Sequence, residues 1–326
     1  MDFFTKIKFL LYTKKNIINL IKRASKQVNL NGVNLSGAYF GAVNLEGWDL
    51  RGVNLSKANL REANLKGANL KGVILEDVFL DLVNLEGAKL EGANLKWANL
   101  IDANLEGANL EGANLCGANL CGANLTRAFL NDANLVGVRL NEVDLRGADL
   151  KRADLTRADL TEANLTEANL KWVILLETNL TKADLKEANL EGKDLRGANL
   201  RGANLRGANL RGANLEGVNL EGANLERANL EEANLTKSNL TIANLTRANL
   251  TRANLKGANL KGANLVEANL TDVKLKGVKL KGANLWGANL TEAKLAGAKF
   301  KALDLTGAHL TYADLLNFQI KKTLED

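Results

Sequence analysis

From Leu30 to Ile320 every fifth residue is large and apolar, and the register never slips. Of these 59 centre positions 56 are Leu, and the exceptions are Phe40, Phe300 and Ile320. Two residues before each centre stands a small residue, Ala in 40 cases and Val in 13. Between the two lies Asn (37 times) or Asp (9 times), so residues 28–322 read as one unit, A-N-L-x-x. A period of five fits neither the helical 3.6 nor the strand alternation of two. Repetition this regular means a solenoid in which each turn buries its apolar face against the next.

The small residue and the Leu are two apart, so in a short extended segment both point to one face and the Asn points outward. Glycine marks the bends: of 29 Gly, 28 occupy the second residue after the centre, and only Gly41 does not. A position that accepts Gly so often calls for positive φ, as the third residue of a type II turn does. Each pentapeptide is then one side of a coil, a very short strand and a corner. The charges bear on the number of sides. Arg196, Arg201, Arg206 and Arg211 are followed in the equivalent places by Glu216, Glu221, Glu226 and Glu231, then by Thr236, Thr241, Thr246 and Thr251. With four sides each Arg stacks against a Glu ~4.8 Å away; with three, Arg196 would stack on Arg211. The expectation is a square coil.

The unit Ala198-Asn199-Leu200-Arg201-Gly202, repeated without a gap, resembles the pentapeptide repeat family. The resemblance implies an all-β fold, a right-handed quadrilateral parallel β-helix of about 15 four-sided coils at roughly 4.8 Å each. It implies protein partners and no assigned activity for most members. The best-known members bind DNA gyrase and confer quinolone resistance by resembling duplex DNA. That behaviour rests on an acidic surface and, in some, on projecting loops. Here the unbroken register leaves no room for a substantial loop, and the repeat body is nearly neutral.

The net charge of +6 is concentrated in residues 1–27, where Lys6, Lys8, Lys14, Lys15, Lys22, Arg23 and Lys26 face only Asp2. Phe4, Ile7, Leu11, Ile18 and Ile21 recur there at helical steps. This short N-terminal helical segment reads as a cap over the first coil or as a basic helix lying on a membrane surface. No cleavage site follows it, so a secretory signal is not expected. Residues 28–322 form the repeat and 323–326 a tail, with Leu316, Phe318, Ile320 and Leu324 suited to covering the C-terminal end or to pairing it with a second copy in a homodimer. Two cysteines, Cys116 and Cys121, make no disulfide framework. They read as free thiols in a reducing, cytoplasmic setting, peripheral to a membrane if the N-terminal helix binds one.

Catalysis needs converging titratable groups, and none are in prospect. The single histidine, His309, replaces an outward Asn and reads as a surface substitution. No catalytic, metal or cofactor site is expected, and the spaced glycines are corners without a phosphate-binding motif.

Departures from the outward polar pattern are the candidate sites. Tyr39, Ile74 and Phe79 replace the outward Asn, and Leu82, Trp97 and Ile101 occupy corners. Taken at 20 residues per coil they share two adjoining sides, a candidate partner surface. Trp172, Ile174 and Leu176 lie one coil before Lys193, the sole charge in an inward small position. Lys193 must bulge the wall or swing outward; structural irregularity is the first reading and a binding notch the second. Lys274, Lys276, Lys279, Lys281, Lys294, Lys299 and Lys301 form a candidate basic patch. Without aromatic platforms beside it, nucleic acid is not the expected partner. Thr251, Thr271, Thr291 and Thr311 align in one column, too narrow for an ice-binding plane.

Overall fold

The computed structural model describes residues 30–295 and 307–309. The segment 1–27, the four residues proposed to cover the C-terminal end, the tail, Thr311, Lys299 and Lys301 lie outside the described residues. The chain divides into two compact units, Met1–Ala153 and Asp154–Asp326.

Both units use the same unit cell, and pentapeptide 53–57 shows why its consensus exists. Val53 N–H donates to Leu50 O across the corner (3.2 Å), and Asn54 N–H donates to Val33 O of the preceding coil (3.0 Å). Leu55 N–H reaches forward to Ile74 O (2.8 Å) and Lys57 N–H to Glu76 O (2.9 Å). The remaining donor, Ser56 N–H, is accepted by the Asn54 side chain at 2.9 Å. All five amides are satisfied within one pentapeptide, as a wall of single-residue strands requires. Asn is preferred because its amide also donates: Asn124 Nδ2 bonds Asn104 Oδ1 (3.3 Å), and Asn104 Nδ2 bonds Asn84 Oδ1 (3.3 Å). An ionised Asp can accept at the corner but has no proton to pass along the ladder.

Parallel bridges join residues 20 apart, Asn34 to Asn54 and Asn239 to Asn259 among them, so the coil has four sides. Every second corner residue from Gly32 to Glu292 has φ between 51° and 75°, glycine or not. The left-handed corner is therefore imposed by the coil, and non-glycine residues there carry strain. Gly41 has a different cause: the Tyr39 hydroxyl would lie 2.9 Å from a Cβ at that position, so the ring folds back over bare backbone.

Inside, the Leu and Ala positions are almost all sealed from solvent, Leu105 and Ala103 at 0 % and 1 % exposure. The polar exceptions satisfy themselves: Thr178 Oγ1 donates to Leu155 O (3.1 Å) and Ser238 Oγ to Leu235 O (2.8 Å). Trp48 occupies an inward small position and is buried, which the Ala/Val rule did not anticipate.

The charge belts stack largely as the sequence implies. Arg201 meets Glu221 at 3.7 Å, Arg206 meets Glu226 at 3.7 Å, and Arg211 meets Glu231 at 3.8 Å. Arg196 departs from the pattern and grips Asp194, Nη2 to Oδ2 at 2.7 Å. An Asp at the outward strand position takes the guanidinium of the residue two later in a forked pair. The same happens at Asp49-Leu50-Arg51 and Asp144-Leu145-Arg146. The Arg196 guanidinium holds Asp194 below the usual carboxylate range. These exposed pairs set register more than they stabilise, at about 0–1 kcal/mol each.

Candidate interaction surfaces

In the first unit, one side carries Tyr39, Asn59, Phe79 and Asn99 in bridged succession. Ile74, Phe79 and Leu82 lie on a single coil. Trp97 and Ile101 follow on the next, where Leu82 N–H donates to Ile101 O at 2.9 Å. Phe79 is 48 % exposed, Leu82 and Trp97 53 % each, and Ile101 half-buried. Five of the six predicted residues therefore converge over two coils. Tyr39 is exposed but stands apart, separated from Phe79 by Asn59.

Trp97 is seated against the wall. A Cβ on Gly117 would fall within the Trp97 ring, so the indole lies flat on the bare corner of the following coil. Lys96 Nζ sits 5.6 Å from the same ring. Asp81, between Phe79 and Leu82, accepts from Asn99 Nδ2 at 2.5 Å and faces Arg61 at 3.6 Å. The result is an apolar centre with a charged border.

The second unit opens where Lys193 replaces Ala. Inward Ala168 is half-buried and Val173 is 5 % exposed, so the wall is loosened over more than one side of the coil. Lys193 is half-buried, and its neighbours in the wall, Ala188 and Ala198, are 7 % and 4 % exposed where most inward alanines are sealed. A lysine cannot be housed among leucines without water at its ammonium, and parting the coils supplies that access. Burial still pushes its pKa down. Trp172 and Ile174 are exposed beside the gap, with Lys171 Nζ 4.3 Å from the Trp172 ring, while Leu176 is half-buried. The expected irregularity is present, and it spans more of the wall than one residue.

Also in the second unit, Gly202 and Gly222 floor a corner groove of about 290 Å³ bounded by Lys182, Arg201, Glu221 and Ile242. Ile242 is 62 % exposed with φ 52°, a β-branched residue in the left-handed region. Ile242→Gly is expected to raise unfolding stability by about 1 kcal/mol, read by urea denaturation, because the corner strain disappears. Ile242, Phe129 and Trp286 are exposed apolar residues that the sequence reading passed over, although each breaks the outward polar rule in plain sight. Trp286 again lies over a glycine corner, Gly307.

Of the lysine patch, Lys274 and Lys294 bridge on one side and Lys279 extends the next from Asn259. Lys276 occupies the corner between them and Lys281 the far corner. The threonine column is occupied internally: Asn269 Nδ2 donates to Thr251 Oγ1 and Asn289 Nδ2 to Thr271 Oγ1, at 2.9 and 3.0 Å. Cys116 and Cys121 are free and part-exposed. Among the described residues no group of His, Cys, Asp and Glu is placed to hold a metal ion.

A family model described as pentapeptide repeats matches in segments from residues 26–56 through 288–321. The chain belongs to the pentapeptide repeat family. As in that family, its quadrilateral β-helix is right-handed. Among solved structures it is similar to HetL of the cyanobacterium Nostoc sp. strain PCC 7120, a protein involved in heterocyst differentiation regulation. The identity is 30 %, over 82 % of this chain and 96 % of HetL, with a TM-score of 0.25. QnrB1, a plasmid-mediated fluoroquinolone resistance protein, is 19 % identical in a trypsin-treated form, over 64 % of this chain and 95 % of its own, at a TM-score of 0.43. A thylakoid-lumen pentapeptide repeat protein of Arabidopsis thaliana is 29 % identical over 32 % of this chain and 74 % of its own, at a TM-score of 0.27. No curated protein sequence matches the chain.

Proposed function

We propose that this pentapeptide repeat protein is a non-enzymatic scaffold that binds a protein partner through Ile74, Phe79, Leu82, Trp97 and Ile101. The observation that carries this reading is the seating of Trp97 on Gly117, which presents a large ring already fixed in place. Docking against it forfeits little side-chain entropy, and buried aromatic anchors supply much of an interface's energy. The charged pair Arg61–Asp81 and Lys96 would form the polar border.

The test is affinity capture from the native host with wild type and a Phe79→Asn/Trp97→Lys/Ile101→Thr variant. Each captured protein is then purified and titrated against both. A partner whose affinity falls at least about a hundredfold in the variant supports the reading, since loss of two anchors at about 2 kcal/mol or more has that effect. Identical affinities for every captured protein would sink it.

The gyrase-binding reading that the family brings to mind finds less support. A duplex mimic needs an acidic wall, whereas the belts here alternate Arg with Glu and the last described coils are rich in lysine. Purified gyrase titrated in the same assay is expected to show no binding.

A further inference from the structure

One side of the second unit, over two successive coils, is an exclusively cationic plane, and we propose that it docks on an anionic lipid bilayer. The column through Asn239, Asn259 and Lys279 runs up its middle. Lys256 and Lys276 form one edge and Lys261 and Lys281 the other. Gly257 N–H donates to Lys276 O (2.9 Å) and Gly262 N–H to Lys281 O (3.1 Å), so each edge lysine stands over its counterpart one coil away. All five lysines are exposed.

Three features distinguish this side from a solvated, mixed-charge wall. First, it bears no carboxylate: residues 256–262 and 276–282 contain lysine, glycine, asparagine and buried apolar positions only. Elsewhere a corner cation commonly finds an acidic neighbour one coil away, as Arg201 finds Glu221. Here, among the described residues, none of the five makes an ion pair, and Lys294, around the corner, is the lysine that reaches Asp272 (3.0 Å). Stacking like charges ~4.8 Å apart opposes folding, so the arrangement is costly unless an anion offsets it.

Second, the second corner residues are Gly257, Gly262, Gly277 and Gly282. At the edges only Lys237 and Ile242 of the preceding coil lean over Gly257 and Gly262, and the ammonium groups of two coils only ~4.8 Å apart reach a common plane. Third, the side has neither aromatic residues to stack on bases nor arginines to fork onto base edges. A cylindrical duplex would meet a flat side along a line and leave the edge lysines unengaged. A planar array of phosphate and carboxylate headgroups engages all five at once. Each lysine near such a surface strengthens binding about fivefold. The proposal is independent of the apolar anchor in the first unit and of residues 1–27.

Flotation of the full chain with vesicles tests it. Wild type is expected to float with phosphatidylserine-containing vesicles and to remain behind with pure phosphatidylcholine. Lys276→Gln/Lys279→Gln/Lys281→Gln should lower the partition coefficient about a hundredfold at an unchanged thermal melt. Lys256→Gln/Lys261→Gln, on the adjoining coil, should lower it in the same direction. A control, Lys57→Gln/Lys71→Gln/Lys89→Gln, removes equal charge elsewhere and should retain wild-type flotation. Equal loss in the triple variant and the control would overturn the assignment, as would absence of flotation by wild type. So would lysine-dependent binding to duplex DNA without binding to vesicles.

Discussion

Leu105→Ala is expected to destabilise the first unit by about 3 kcal/mol, the cost of lost burial plus an unfilled hole. Leu105 is completely buried, and its amide is tied to the next coil through Asn124 O at 2.7 Å. The interior is lined by one Leu and one small residue per side, so no flexible long side chain stands ready to refill the space. The loss should be local. In a solenoid each repeat touches only its neighbours, so amide exchange should accelerate most in the coils bonded to residues 103–107 and little farther away. Urea denaturation and hydrogen exchange measure the two parts. Leu105→Met should cost less than about 1.5 kcal/mol, because volume is nearly kept. A Leu105→Ala cost no larger than that of Leu105→Met would mean that the walls collapse inward and that the core is not close-packed.

Lys193→Ala is expected to do the opposite and raise stability by roughly 2 kcal/mol, the usual scale for relieving an ill-placed buried polar group. Alanine fits the inward position, and the loosened wall around Ala168, Ala188 and Ala198 can close. The amides of Asn189 and Asp194 should then exchange more slowly. A pH signature accompanies this. Burial lowers the Lys193 pKa in the folded protein. Between that lowered value and the ordinary lysine value the unfolded chain holds more protons than the folded one. Stability of wild type relative to Lys193→Ala therefore rises as pH climbs through this window, and the gap between them narrows. Unchanged exchange at Asn189 and Asp194 in Lys193→Ala would show that the opening belongs to Trp172 and its surroundings instead.

The fold was legible because its rule is local and repeated. The A-N-L-x-x pattern implied the inward pair, the outward Asn and the left-handed corner, and the Arg, Glu and Thr runs pointed to four sides. The Arg196 exception was hidden because a vertical partner, Glu216, and a side-by-side partner, Asp194, both exist in the sequence. The forked geometry of the latter prevails. Lys193 was visible as a fault, but the extent of the opening was not. It follows from how far the wall must part to give one ammonium access to water. The apolar cluster could be placed by counting, whereas the flat seat of Trp97 depends on a rotamer and on Gly117 twenty residues later. Which exposed groups engage a partner is a property of that partner as well, and one chain's spacing carries no record of it.

The 20-residue bridge interval ties the evolution of chain length to the identity of each wall. Duplicating a single pentapeptide would preserve every local bond type but turn the later residues of the same unit through a quarter circle. Lysines that now share a plane with one set of neighbours would face elsewhere, and paired belts such as Arg206 and Glu226 would part if the insertion fell between them. Duplicating four pentapeptides adds one whole coil and returns each later residue of that unit to its own wall. A gene of this kind can lengthen or shorten without redrawing its surfaces only in steps of four repeats, so homologues that keep the same faces should differ in length by multiples of that step.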